Sequence, residues 1–143
     1  MIKYTGDGVM AIFRGMGRSY LALRCGLELA TLSNNAKFPF GMGVVQRLVL
    51  VGLIGDSNQA GQRSQYDIVG ATVHLASRLY SLADAGEVVA THSISVAARL
   101  TTQTPRPAPG VSVRGLTKPL TVSFSPRSVQ NQNQQSNMKE RAI

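Results

Sequence analysis

Residues 2–5 and 9–13 are two β-rich runs separated by Gly6-Asp7-Gly8. An Asp-Gly pair between such runs is the strongest short-range hairpin signal, because glycine accepts the positive φ of a tight turn without a Cβ clash. The spacing predicts a hairpin with Asp7 at its tip. A chain that opens this way must build a sheet, and the segments that follow must supply the layers that cover it.

Helical and strand periods then alternate. Tyr20, Leu23, Leu27 and Ala30 recur at helical spacing within residues 18–33, which end in Asn34-Asn35. Residues 40–45 and 48–54 are rich in Val and Leu and read as strands buried on both faces. Between them Gln46-Arg47 lacks a residue suited to positive φ, so strain or a longer loop is expected there. Residues 55–64 form a polar loop and 66–69 a strand that Gly70 breaks. Thr72 then caps a helix with Val73, Ala76, Leu79 and Leu82 on one side. Residues 88–91 form a strand, Ser93 caps a helix over 94–100, and 101–110 is a proline-bearing loop. Residues 111–114 and 120–124 close the domain as a strand pair. This order predicts an α+β or α/β sandwich on a mixed sheet, with no internal repeat.

A chain of 143 residues with 43% hydrophobic content can bury one core. That core belongs to residues 1–124, and residues 125–143, rich in Gln and Asn, are expected to be a disordered tail. The longest apolar run, 48–54, is far too short to cross a bilayer, and the first residues lack the apolar stretch of a signal peptide, so a cytoplasmic chain is expected. Cys25 stands alone, which excludes a disulfide framework and a thiolate zinc site. The net charge of +8 favours polyanionic partners. Lys and Arg are scattered and the four tyrosines show no stacking pattern with them, which argues against nucleic acid.

Two segments carry chemistry. One is Lys3-Tyr4-Thr5-Gly6-Asp7-Gly8-Val9-Met10-Ala11-Ile12-Phe13, and the other is Gln65-Tyr66-Asp67-Ile68-Val69-Gly70-Ala71-Thr72-Val73-His74-Leu75-Ala76-Ser77-Arg78-Leu79. Both resemble, in the same order, the hairpin and the strand-helix segment of class III nucleotidyl cyclase catalytic domains. Gly41-Met42-Gly43-Val44-Val45, Val51-Gly52-Leu53-Ile54-Gly55 and Ala85-Gly86-Glu87-Val88-Val89 fit the strands between and after them. The resemblance implies a ferredoxin-like α+β fold, a mixed and mostly antiparallel sheet with helices packed on it, and cyclisation of ATP to 3',5'-cyclic AMP and pyrophosphate in cyclic-nucleotide signalling.

That reaction deprotonates the ribose 3'-hydroxyl, which attacks the α-phosphorus in line as pyrophosphate leaves, and divalent metals with fixed cations stabilise both events. The resemblance makes Asp7 a metal ligand for Mg²⁺ or Mn²⁺. It makes Lys3 and Asp67 the adenine-type base readers, and Arg78 and His74 the residues that hold ribose and phosphates, with His74 replacing the family's asparagine. Lys118, or Arg114, is the candidate for the terminal phosphates. The family's sites form between two protomers. Its first strand, with the first metal aspartate, precedes anything seen here, and neither Asp56 nor Asp84 is placed to substitute. The resemblance thus implies an N-terminally incomplete domain, weak or inactive alone, working as a homodimer or as a heterodimer with a complete cyclase domain. The alternative is a truncated, catalytically inactive nucleotide-binding or dimerisation module.

Overall fold

The computed structural model describes residues 2–6, 8–54, 65–99 and 105–125. Strands β1 (Ile2–Thr5) and β2 (Gly8–Ala11) form the expected antiparallel hairpin, with Thr5 opposite Gly8 and Gly6 at φ 69°. Asp7, expected at the tip, lies outside the described residues, as do the expected loop 55–64 and the expected tail from 126 onward. Helix α1 (Arg18–Ser33) has the bounds its periodicity predicts and buries Leu23, Leu27 and Ala30. Tyr20 does not join that face: it is exposed, and its hydroxyl accepts a hydrogen bond from Arg24. At the helix end Ser33 Oγ donates to the Phe40 carbonyl at 2.8 Å and accepts from the Phe40 amide at 2.7 Å, closing the loop into the next strand.

The remaining elements are β3 (Met42–Val44), β4 (Leu50–Ile54), β5 (Gln65–Val69), α2 (Ala71–Tyr80), β6 (Val88–Thr91), α3 (His92–Ala98), β7 (Arg106–Val111) and β8 (Leu120–Phe124). The architecture is α+β, with a four-stranded mixed sheet in the order β3-β6-β8-β7, parallel between β3 and β6 and antiparallel elsewhere. The hairpins β1-β2 and β4-β5 are separate ladders among the described residues, so one expected sheet is present as three hydrogen-bonded pieces. The chain leaves β3 at residues 45–49 instead of turning back. Ser19 Oγ donates to Gln46 Oε1 at 2.8 Å and Thr72 Oγ1 to the Leu48 carbonyl at 2.7 Å, and these bonds carry β4 away to pair with β5. Burial of β4 on both faces is not observed, since Leu50 and Leu53 are exposed.

Side-chain alternation along β6 builds two cores. Val88 and Ala90 join Leu23, Leu27 and Ala30 of α1 and Ile94 and Ala98 of α3. Val89 faces the other way, into a cluster with Leu75 and Leu79 of α2, Val113, and Val122 of β8. Helices therefore cover both faces of the sheet, and each fully buried side chain such as Leu23 or Leu79 contributes about 2–3 kcal/mol of burial free energy. Ser125, the first residue of the expected tail, is buried, with its amide bonded to the Val88 carbonyl and its hydroxyl to the Val88 amide.

Three local expectations change in the fold. Thr72 does not cap α2, whose N-cap is Gly70, because its hydroxyl is taken by the Leu48 carbonyl. Ser93 lies inside α3, which starts two residues before Ile94, and its hydroxyl donates to Thr91 Oγ1. Residues 106–110, read as the end of a loop, form β7 together with Val111, while 112–114, read as strand, lie outside any strand. Proline is accepted there because β7 is an edge strand that needs donors toward β8 alone, and the register shifts between Ala108 and Val111 around Pro109 and Gly110.

Gly43 sets the distance between α2 and the sheet. A Cβ there would lie 2.3 Å from the Ala76 carbonyl oxygen and 2.4 Å from the Tyr80 amide nitrogen, both backbone atoms that cannot swing aside. Gly43→Ala is expected to cost about 3 kcal/mol, the upper end of the overpacking range, read as a lowered midpoint in urea unfolding; an unchanged midpoint would contradict this packing.

Candidate functional site

Strand β1 places Lys3 opposite Met10, and β5 places Asp67 opposite Gly52. Although 64 residues apart in the chain, Lys3 Nζ and Asp67 Oδ1 form an ion pair, with side chains 29% and 26% exposed. The same Asp67 oxygen accepts the Ile68 amide at 2.6 Å. The Lys3 ammonium foremost, and the Ile68 N–H after it, hold the Asp67 carboxyl below the usual carboxylate range. The two expected base readers thus occupy one place, joining hairpin β1-β2 to the β4-β5 ladder.

Past Gly70 the chain enters α2, and Arg78 lies roughly 10 Å along the helix axis from Ala71. His74 is one turn earlier, exposed and without a hydrogen-bond partner among the described residues, whereas Arg78 is half-buried. The Arg78 guanidinium makes no ion pair or hydrogen bond with a described residue and sits against the β7-β8 connection at Gly115. Lys118 and Arg114 are exposed on that same connection. The structure therefore joins Lys3 to Asp67, and Arg78 to the segment that carries Lys118, while no bond links the two groups. Gly115 was not visible as a site residue in the sequence, although a glycine following Val113-Arg114 is a turn signal.

The described residues contain no group of three His, Cys, Asp or Glu side chains able to hold a metal ion, and Asp7 lies outside them. Asp84 and Glu87 are engaged locally, with the Asp84 amide donating to Glu87 Oε2 at 3.1 Å. These residues do not fit a divalent-metal site.

Because the folded-state pKa of Asp67 is depressed, the Lys3–Asp67 pair stabilises the fold above the ordinary carboxylate pKa, and this contribution fades as pH falls through the folded value. In Lys3→Met the Asp67 carboxyl should titrate at higher pH than in the parent, followed by carboxyl NMR. An unmoved titration would show that Lys3 does not engage Asp67 in solution.

No protein-family model and no curated protein matches the sequence. Solved structures do match its fold. A guanylyl cyclase crystal structure superposes with a TM-score of 0.73 at 21% identity, covering 87% of this chain and 68% of the other. The adenylyl cyclase CyaB from P. aeruginosa gives 0.69 at 24% identity over 89% of this chain and 71% of the other. The guanylate cyclase domain of RhGC from Catenaria anguillulae, solved with GTP, gives 0.67 at 20% identity over 87% and 70%. Helices on a mixed sheet, the hairpin at Gly6 and the strand-helix segment from Gln65 to Tyr80 thus converge: the chain has the fold of the class III nucleotidyl cyclase catalytic domain.

Proposed function

We propose that this chain is an adenylate cyclase-type domain that binds ATP, and that it forms cyclic AMP and pyrophosphate when paired with a complete cyclase domain. The observation that carries the reading is the meeting of Lys3 and Asp67 from distant strands. An ammonium donates to ring N1 and a carboxylate accepts from the adjacent exocyclic amino group, as adenine presents them, whereas guanine carries a hydrogen on N1 that an ammonium cannot bond. ATP would separate the two side chains, taking over the hydrogen bond that Lys3 donates and Asp67 accepts. Arg78, half-buried and without a carboxylate partner among the described residues, keeps its donor fork free for phosphate oxygens as charge moves onto the leaving pyrophosphate. His74 is assigned to the ribose and Lys118 to the terminal phosphates, and both side chains are exposed.

The metal, Mg²⁺ or Mn²⁺, belongs to the proposal through Asp7 and the carboxylates of the pairing domain. A cytoplasmic setting in cyclic-nucleotide signalling goes with it, and no helix among the described residues is long and apolar enough to cross a membrane.

The test mixes this chain with a complete adenylate cyclase domain whose own base-reading and arginine residues have been disabled. Cyclic AMP formation should rise well above the partner alone, ATP should be preferred to GTP, and Arg78→Ala should lower the gain about 100-fold. No gain would overturn the catalytic reading, and ATP binding without any gain would instead establish the inactive nucleotide-binding module.

A further inference from the structure

We infer that Gly115 is a positioning residue for Arg78: the bare backbone of one turn is the seat on which the guanidinium rests. The inference rests on the nucleotide reading of Arg78 given above and assigns a role to a residue that contacts no substrate.

The Leu116 amide donates to the Val113 carbonyl at 3.0 Å, closing a four-residue turn in which Gly115 is third, at φ 78°. Positive φ at that position already favours glycine. A second requirement is steric. A Cβ on Gly115 would lie 2.7 Å from Arg78 Nη1, 2.7 Å from Nη2 and 2.9 Å from Cζ, so the guanidinium fills the volume a side chain would take. Gly110, near the end of β7, separates the two requirements: it has φ 73°, yet nothing lies within 4 Å of the Cβ it lacks.

The seat and the arginine are held by one core. Val113, two residues before Gly115, is 3% exposed and packs with Leu75 and Leu79, which flank Arg78 on α2. Turn and helix are therefore fixed relative to each other. Arg78 has no electrostatic partner among the described residues to orient it, so contact with the turn limits where its fork can point. A methyl group at 115 meets the far end of a flexible side chain, which yields more easily than the turn backbone. Its cost falls on the placement of the guanidinium, with a loss of stability no greater than the positive φ imposes.

The test uses the full chain and inorganic pyrophosphate. Binding is measured by calorimetry, and the Arg78 Nε–H NMR signal is assigned by its loss in Arg78→Ala. Gly115→Ala should move that signal and weaken binding about tenfold, the loss of one charge-assisted hydrogen bond, with no further weakening in the Arg78→Ala background. Gly110→Ala, with the same backbone penalty, should leave both readouts as they are. Gly115→Asn carries a Cβ on a residue that tolerates positive φ, and repeats the test if the alanine variant does not fold. An unmoved Arg78 signal, additive losses, or equal effects from Gly110→Ala would overturn the positioning. Weakening in Arg78→Ala without weakening in Gly115→Ala would also overturn it while sparing the nucleotide reading. Wild-type pyrophosphate affinity in Arg78→Ala would overturn the nucleotide reading of Arg78, and the role of Gly115 with it.

Discussion

Strand β6 is buried at all four residues, and the structure depends on its alternation. Val88 and Ala90 anchor the layer of α1 and α3, while Val89 anchors α2, so one short strand couples two cores that share no side chain. Its neighbour β3 repeats the device, with Met42 and Val44 on the α1 side and Gly43 against α2. Since the side chains of a strand alternate strictly, a slip of one residue would exchange the two cores and force a valine or methionine against the backbone of α2.

The candidate site follows from that packing. Arg78 lies between Ala76 and Tyr80, the residues whose backbone atoms close on Gly43, so its helix is fixed at the shortest distance the sheet permits. The other half is held differently. Hairpin β1-β2 shares no ladder with the four-stranded sheet among the described residues, and the Lys3–Asp67 ion pair ties it to β5. The two halves therefore differ in how they are held: the backbone of α2 around Arg78 is packed directly against the sheet, whereas the Lys3–Asp67 ion pair is partly exposed.

Periodic, self-contained segments were legible. The hairpin was readable from Gly6-Asp7-Gly8, α1 from the spacing of Leu23, Leu27 and Ala30, and β6 and β8 from short β-branched runs whose burial agrees with their composition. The errors fall where a distant group decided the outcome. Thr72 has the chemistry of a cap, but the Leu48 carbonyl, 24 residues earlier, competes for its hydroxyl and wins. Residues 106–111 carry prolines that argue against a strand until the chain sits at a sheet edge, a position that local sequence does not encode. Leu50 and Leu53 have strand composition but no covering layer among the described residues.

The sequence by itself determined the types and order of most elements, because hydrophobic period and turn chemistry are local properties, and its resemblance to the cyclase segments singled out Lys3, Asp67, His74 and Arg78. Tertiary structure decided which of these residues meet. Lys3 found Asp67 across 64 residues, and Arg78 found the bare backbone of Gly115 because Val113, Leu75 and Leu79 share a core. Such contacts depend on which layers pack together and on how closely the absence of a Cβ lets them approach, quantities that exist only once the chain has folded.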